Sequence, residues 1–163
     1  MKVVLQRVKR AKVEVEGETI GEIGVGLLIL IGIAPEDQEA DARWMVDRLA
    51  HLRVFSDEQG RFDRSLVQIG GEALVVSQFT LFGDCRRGRR PSFTGAARPE
   101  HAVPLYARFC ALLSEALGKP VAQGRFGADM AVSLVNDGPV TLSLESPAAA
   151  AGAPGRENST TTG

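Results

Sequence analysis

The sequence has few of the side chains that hold structural metals or form disulfides, with two cysteines and two histidines among 163 residues. Structural zinc sites usually need about four Cys or His ligands at short spacings, and neither Cys85 nor Cys110 lies in a paired-cysteine motif. We therefore expect no metal, no cofactor and no disulfide. Cys110 falls on the apolar face of a predicted helix and is expected in the core, whereas Cys85 is expected to be an incidental loop residue.

Long hydrophobic runs are also missing. No apolar run reaches the roughly 18 to 20 residues that span a bilayer. The longest, residues 25–34, contains glycines and has the length of a strand. The first ten residues, MKVVLQRVKR, lack the uninterrupted apolar core and small-residue cleavage site of a signal peptide. The sequence predicts a cytoplasmic protein that does not bind a membrane.

The motifs of common hydrolases and nucleotide-binding enzymes are absent as well. The sequence has no G-x-S-x-G elbow, no H-E-x-x-H helix and no P-loop. His51 lies on the first predicted helix and His101 at the start of the second, and both are expected to be surface or hydrogen-bonded residues. A conventional catalytic triad is therefore not expected.

Positive charge is concentrated in one short block. The formal net charge is −1, yet four arginines, Arg86, Arg87, Arg89 and Arg90, occupy five consecutive positions. A local basic patch on a nearly neutral protein indicates one anionic contact surface. An ordinary solvated loop explains the block equally well.

The hydrophobic pattern predicts a β-rich α/β fold. Apolar residues alternate in residues 3–15, with a shift near Arg7 and Val8 that is typical of a β-bulge, whereas Ala42, Met45, Leu49 and Leu52 recur at helical spacing. We expect strands at residues 3–15, 19–23, 27–33, 53–55, 73–78, 121–123, 130–136 and 140–144, a further pairing segment at 62–67, and helices at 35–52 and 99–117. The early hairpins argue against a doubly wound parallel sheet. The predicted architecture is mixed sheets with two helices packed on one side, in a single compact domain of residues 1–146.

Two local features refine these boundaries. Pro104 is tolerated only in a first helical turn, so we expect the second helix to begin near His101. Residues 147–163 are rich in Ala, Gly, Pro, Ser and Thr and cannot bury enough surface to offset the entropy of ordering. They are predicted to form a disordered tail outside the domain.

A polar cluster follows the apolar run that begins at residue 74. Side chains alternate along a strand, so Gln78 and Thr80 are expected to face one way and Ser77 and Phe79 the other. The Thr80 hydroxyl could be a nucleophile, but an unassisted hydroxyl is weak and needs a nearby base. On the residues alone we favour the alternative, that Ser77 and Thr80 satisfy backbone groups at the end of a strand.

A second stretch of the same kind occurs late in the chain. Residues 135–141, VNDGPVT, form another apolar strand that ends in small polar residues around Gly138 and Pro139. Taken alone, an Asn-Asp-Gly-Pro sequence between two strands is an ordinary turn signal.

Three motifs together are more specific. The segments VSQFTL at 76–81, RRGRRPSFT at 86–94 and VSLVNDGPVT at 132–141 resemble the D-aminoacyl-tRNA deacylases, the D-tyrosyl-tRNA deacylase family. LQRV at 5–8 and GEIGVGLLIL at 21–30 match as well. The resemblance covers residues 1–146 and implies an enzyme that hydrolyses the ester of D-aminoacyl-tRNA.

The resemblance also implies how such a site is assembled. Members of the family are compact homodimers with two active sites at the interface, and the segment from Ser77 to Thr80 lines the pocket. Gly138 and Pro139 are joined by a cis bond in that family and reach into the partner's pocket, where their carbonyls exclude an L side chain. The implied enzyme is broad toward D-amino acids, accepts glycyl-tRNA and is inactive as a monomer.

Ester hydrolysis needs a nucleophile and a way to stabilise the oxyanion. The backbone N–H groups of Phe79 and Thr80 are candidates for oxyanion stabilisation, with Ser77 and Gln78 beside them. Either Thr80 attacks, or the neighbouring ribose hydroxyl of the tRNA assists water while the protein positions the ester. We prefer the second mechanism because the sequence offers no evident base.

The same resemblance implies that the remaining motifs either bind tRNA or support the site. The four arginines of the basic block are expected to contact tRNA phosphates. Phe79 or Phe93 could stack on the terminal adenine, with core packing the more expected role for Phe79. Arg7 and Asn136 are expected to support the loop of Gly138. Two competing hypotheses are a non-catalytic RNA-binding module and a general small-ester hydrolase.

Overall fold

A computed structural model describes residues 1–147 of the chain, in which strands outnumber helices. The strands are β1 (Lys2–Val15), β2 (Glu18–Ile23), β3 (Gly26–Gly32), β4 (Phe55–Ser56), β5 (Phe62–Arg64), β6 (Glu72–Ser77), β7 (Ala122–Gln123) and β8 (Ala131–Glu145). The α-helices are α1 (Glu39–His51) and α2 (Pro99–Leu117), and a 3₁₀ turn covers Phe79–Phe82. The predicted β-rich α/β class is confirmed.

One six-stranded sheet organises the molecule, in the order β2-β1-β3-β6-β7 with β8 paired to β1. The pairs of β1 with β2, β3 and β8 are antiparallel, whereas β3–β6 and β6–β7 are parallel. This mixture agrees with the predicted mixed sheet. The parallel β3–β6 pair brings the end of β6, at Ser77, beside Ile31 in the centre of the sheet.

Both α-helices cover the same face of this sheet. Met45 and Leu49 of α1 and Phe109 and Leu113 of α2 are fully buried in one apolar cluster with Leu5 and other residues of β1, β3 and β6. A smaller cluster lies on the opposite face, around Val8, Val13, Leu28, Leu74 and Val76. Strand β3 is therefore buried on both faces, as its continuous apolar run predicts.

The structure corrects the predicted start of α1, the expected effect of Pro104 on α2 and the division of the last strands. Helix α1 begins at Glu39, because Asp37 turns inward and accepts the Ala34 N–H at 2.7 Å, which makes residues 35–38 a turn. The span 99–117 predicted for α2 matches the structure, but the refinement that it begins near His101 was wrong: the helix begins at Pro99, where a fixed φ suits the first helical position, and Pro104 lies inside the helix on its exposed side. The two last predicted strands form one strand, β8.

The small sheet of β4 and β5 is shorter than predicted, two residues in β4 and three in β5. At the other end of the domain, the Ser146 N–H donates to the Met1 carbonyl at 2.9 Å, and Ser146 is buried. The tail predicted for residues 147–163 lies outside the described residues, apart from Pro147. In residues 1–147, neither helix has the length and apolar character needed to cross a membrane.

Candidate active site

The segment from Ser77 to Thr80 leaves the sheet at its centre. The Gln78 N–H donates to the Ile31 carbonyl at 2.7 Å, and the chain then enters the 3₁₀ turn. The side-chain amide of Gln78 donates to Thr80 Oγ1, so these two side chains meet, although they lie beyond the end of the strand. Phe79 is 57% exposed, so the prediction that it packs in the core was wrong. Strand β6 ends at Ser77, so Phe79 no longer belongs to the strand and its ring lies outside the buried face.

A pocket of about 330 Å³ opens beside this segment. It is bordered by the end of β6, the start of α2 and the loop between β7 and β8. Its lining residues are Ile31, Ile33, Val76, Ser77, Gln78, Phe79, Ala97, Ala102, Tyr106, Phe126, Gly127, Ala128, Asp129, Met130 and Val132. A mostly apolar cavity with a few polar groups at one rim is the usual form of a small-ligand site.

Two aromatic residues that the sequence did not single out form one wall of the pocket. The Tyr106 hydroxyl donates to the Val75 carbonyl at 2.9 Å, and its ring meets Phe126 edge-on with centroids 6.0 Å apart. Phe126 lies in a glycine-containing loop where no periodicity marks it as functional. The available signals were weak: Tyr106 is the only tyrosine in the chain, and Phe126 is flanked by Arg125 and Gly127.

The wall does not supply an acid or base. Burial raises the pKa of Tyr106 far above its usual range, and burial raises the pKa of Cys110 behind it to about 12. Both groups therefore stay protonated at neutral pH. Cys110 is buried, as predicted, and Cys85 is exposed.

Within residues 1–147, no acidic or basic side chain forms a hydrogen bond with the hydroxyl of Ser77 or Thr80, although Asp129 lines the same pocket. The Thr80 hydroxyl has Gln78 as its side-chain partner. His51 Nδ1 lies 3.2 Å from Asp47 Oδ1 on the exposed side of α1, and His101 Nε2 lies 2.8 Å from the Asp37 carbonyl. The same part of the chain contains no cluster of three His, Cys, Asp or Glu side chains able to hold a metal ion.

The site does offer backbone donors. The first N–H groups of a helical turn have no partner within the turn. Because Gln78 N–H is held by Ile31 and Leu81 N–H donates to the Gln78 carbonyl at 3.2 Å, the N–H groups of Phe79 and Thr80 are the ones left at the exposed rim. Two adjacent N–H groups of this kind suit an oxyanion.

Gly138 and Pro139 lie in a loop that bulges from β8. Gln6 of β1 faces Thr141 and Val8 faces Asn136, so four residues of β8 stand opposite Arg7 alone. The peptide bond between Gly138 and Pro139 is cis, and both residues are exposed.

Two side chains hold this loop. Arg7, which is 7% exposed, donates from Nε to the Asp137 carbonyl at 3.1 Å and lies 3.0 Å from Asp137 Oδ2. The amide of Asn136 donates to the Arg7 carbonyl at 2.9 Å and to the Val140 carbonyl at 3.2 Å. Gly138 and Pro139 are not among the residues that line the pocket.

The basic block lies in a loop closed by a backbone bridge between Asp84 and Ser92. Arg86 differs from the other three arginines, because its Nη2 lies 2.7 Å from Asp84 Oδ2. Hydrogen bonds from the Arg86 side chain hold the pKa of Asp84 well below its usual range. Phe93, after this loop, meets Phe79 edge-on with centroids 5.3 Å apart. The structure therefore places the aromatic pair between the pocket rim and the basic loop.

Fold and site together define a small α/β protein with a pocket built from a strand end and backbone donors. The family model described as D-Tyr-tRNA(Tyr) deacylase matches residues 4–145. A D-aminoacyl-tRNA deacylase of Halalkalibacterium halodurans is 58% identical over 146 residues, 90% of this chain and 99% of the relative. One from a Roseiflexus species is 60% identical, over 90% of this chain and 94% of the relative.

Solved structures share the fold of this chain. A structure described as c-Myc DNA Unwinding Element Binding Protein is 43% identical, with a TM-score of 0.85 over 90% of this chain and 99% of that chain. A probable eukaryotic D-amino acid tRNA deacylase, 20% identical with a TM-score of 0.78, shares the fold. The chain belongs to the D-Tyr-tRNA(Tyr) deacylase family. The predictions of this family and of an enzyme are thereby confirmed.

Proposed function

We propose that this chain acts as a homodimer that hydrolyses the ester bond of D-aminoacyl-tRNA and releases the D-amino acid and tRNA. The substrate class follows from the names of its relatives. The chain's own residues support a site shared between two copies. Because the substrate is tRNA, the proposal places the enzyme in the cytoplasm.

One observation supports the shared site: Arg7 and Asn136 hold the Gly138 loop by hydrogen bonds, yet Gly138 and Pro139 do not line the pocket of their own chain. Side chains that fix a loop in a projecting position suit contact with a second molecule. In the described chain β8 ends the sheet, with one side paired to β1 and the other open. Edges of this length are normally covered, and Val135 and Leu142 on β8 are 37% and 40% exposed. A second copy that covers β8 would carry its Gly138 loop toward this pocket.

Selection of the enantiomer then follows from steric exclusion. Main-chain carbonyls of Gly138 and Pro139 next to the aminoacyl Cα leave no room for an L side chain. They do not restrict the size or chemistry of a D side chain. Specificity of this kind depends on rejecting the wrong substrate. Glycine has no side chain to reject, so we propose that glycyl-tRNA, including glycine mischarged on tRNA-Ala, is also hydrolysed.

The chemistry uses the rim of the pocket. Phe79 N–H and Thr80 N–H stabilise the tetrahedral oxyanion, while Ser77 and Gln78 shape the adjoining wall. Water attacks the ester carbonyl, the neighbouring ribose hydroxyl assists, and the ribose oxygen leaves with a proton. Thr80 attack is the alternative, but its hydroxyl lacks a base among the described residues.

The proposed position of the tRNA end is based on where the aromatic and basic side chains lie. The terminal adenine enters the pocket against Phe126, and the preceding base stacks on the exposed pair of Phe79 and Phe93. Arg87, Arg89 and Arg90 contact phosphates beyond it. Arg86 contributes less, because Asp84 already neutralises part of its charge.

The direct test is ester hydrolysis by the purified full-length protein on D-Tyr-tRNA and L-Tyr-tRNA. The proposal predicts rapid loss of the D ester and retention of the L ester. Cleavage of neither, with tRNA binding intact, would favour the RNA-binding module. Cleavage of both, together with simple acyl esters, would favour a general esterase and contradict steric selection.

A further inference from the structure

The short hairpin of β4 and β5 presents an aromatic side chain to the residue that holds the Gly138 loop. Phe62, at the start of β5, is 55% exposed. The guanidinium carbon of Arg7 lies 5.3 Å from the centroid of its ring. This is the distance of a cation–π contact, and it covers one face of a guanidinium that is otherwise buried.

Arg7 joins the hairpin region to the loop. On one side, its Nη1 donates to the carbonyl of Val54, just before β4, at 2.6 Å. On the other side, its Nε contacts the carbonyl and the carboxylate of Asp137. Phe62 and Val54 therefore fix the guanidinium from one direction, while Asp137 of the loop receives its hydrogen bonds from the other.

The hairpin is itself tightly connected, so it can act as a fixed support. Asp57 Oδ1 accepts the N–H groups of Gln59 and Arg61, each at 2.8 Å, which closes the turn. Arg53 pairs with Asp63 at 3.0 Å across the two sides of the hairpin. This exposed ion pair contributes little, so the turn closed by Asp57 is what fixes the position of Phe62.

We infer that Phe62 is a positioning residue that acts through Arg7 to hold the Gly138 loop in its projecting conformation, and so sets how strictly L-aminoacyl groups are rejected. The enzymatic part of this inference rests on the proposed function. The ring shields the guanidinium from water, which would otherwise compete with Asp137 for its hydrogen bonds. Without the ring, the loop moves more, and its carbonyls exclude an L side chain less completely.

Hydrogen exchange at the loop amides tests the positioning directly and does not depend on activity. Phe62→Ala should accelerate exchange of the Gly138 and Val140 amides about three- to tenfold. Phe62→Tyr, which keeps an aromatic face, should match the wild type, and Phe62→Leu should fall between them. Asp63→Asn, which removes an ion pair on the same hairpin, is the matched control and should leave the exchange unchanged.

Selectivity gives the second readout. The ratio of L-Tyr-tRNA to D-Tyr-tRNA hydrolysis should rise about three- to tenfold in Phe62→Ala, with hydrolysis of the D ester nearly unchanged. If Phe62 acts through Arg7, combining Phe62→Ala with Arg7→Lys should change exchange and selectivity little beyond Arg7→Lys alone. Sedimentation at the assay concentration checks that the variants keep the oligomeric state of the wild type.

Several outcomes would overturn the inference. One is a wild-type rate of amide exchange in Phe62→Ala, and another is an equal change of that rate in Phe62→Ala and Asp63→Asn. The inference also fails if the effects of Phe62→Ala and Arg7→Lys add, or if exchange is faster only when the dimer dissociates. An inactive wild type would reject the proposed function, and the exchange measurement would still decide whether Phe62 positions the loop. An active, selective wild type with an unchanged loop in Phe62→Ala would reject this inference alone.

Discussion

The side-chain amide of Gln78 donates a hydrogen bond to the hydroxyl oxygen of Thr80. A hydroxyl that accepts from an amide is not activated for attack, because the amide cannot remove its proton. Of the two mechanisms that the sequence leaves open, this contact favours the one in which Thr80 is not the nucleophile.

Thr80→Val tests this directly. It keeps the shape of the side chain and removes the hydroxyl, so D-Tyr-tRNA hydrolysis should stay within about threefold of wild type if Thr80 is not the nucleophile. Thr80→Ser, which keeps the hydroxyl, is the matched control. Single-turnover loss of the ester is the measurement, and a drop on the order of 10³-fold or more in the Val variant would restore Thr80 as the nucleophile.

Asn136→Ala should loosen the Gly138 loop, because Asn136 hydrogen-bonds the backbone on both sides of it. The substitution leaves the carbonyls of Arg7 and Val140 without their amide donor, at a cost of about 1 to 3 kcal/mol in the free energy of unfolding. Urea unfolding measures that cost, and hydrolysis of L-Tyr-tRNA should rise relative to the D ester.

Gln6→Ala provides the control for that variant. It removes a hydrogen bond to Thr141 Oγ1 on the same strand pair, at an exposed position outside the loop. It should leave the L-to-D ratio at the wild-type value. Equal ratios in the Asn136 and Gln6 variants would show that Asn136 does not control selectivity.

The pocket wall should affect substrate binding more than chemistry. Phe126→Ala removes the aromatic surface proposed for the terminal adenine, which should raise KM on the order of tenfold with kcat little changed. Tyr106→Phe keeps the ring and loses the hydrogen bond to Val75, so it should cost about 1 kcal/mol of stability without changing KM. A normal KM in Phe126→Ala would place the adenine elsewhere.

The basic loop should determine how strongly binding depends on salt. Replacing Arg87, Arg89 and Arg90 together by Ala should reduce the slope of log affinity against log salt by about 2, since each phosphate contact on a single strand contributes roughly 0.7. Arg61→Ala removes an exposed arginine that pairs with Asp57, and it should leave the slope unchanged. Equal slopes in the triple variant and the wild type would remove this loop from the tRNA contact.

Periodicity and short motifs predicted the parts of this molecule whose causes are local. The alternation of β1, the buried run of β3 and the span of α2 follow from side-chain spacing, and each matches the structure. The register shift of β1 near Arg7 was also visible in the sequence as a break in alternation. Its consequence, four residues of β8 opposite one of β1, was not visible because it depends on pairing between residues about 130 positions apart.

The wrong predictions also concern features that depend on contacts between residues far apart in the sequence. A Gly-Pro step looks like the end of a strand, yet β8 continues past it because β1 pairs with both halves. Alternation places Phe79 in the core, but the strand ends at Ser77, two residues earlier, and the Phe79 ring is exposed. Tyr106 and Phe126 come together only through the packing of α2 against the loop before β8, which no local pattern encodes.

The central claim is that each active site combines the pocket of one protomer with the Gly138 loop of the other. A mixed dimer tests it. One protomer carries Thr80→Pro, which removes a proposed oxyanion donor, and the other lacks Gly138 and Pro139. The one competent pocket then belongs to the protomer with the deleted loop, and it meets an intact loop only if loops act on the partner.

The measurement is the ratio of L-Tyr-tRNA to D-Tyr-tRNA hydrolysis by the purified mixed dimer. The account predicts the low ratio of the wild type, with about half its activity on the D ester because one competent site remains of two. A ratio equal to that of the homodimer lacking Gly138 and Pro139 would show that each loop serves its own pocket, and would contradict the account.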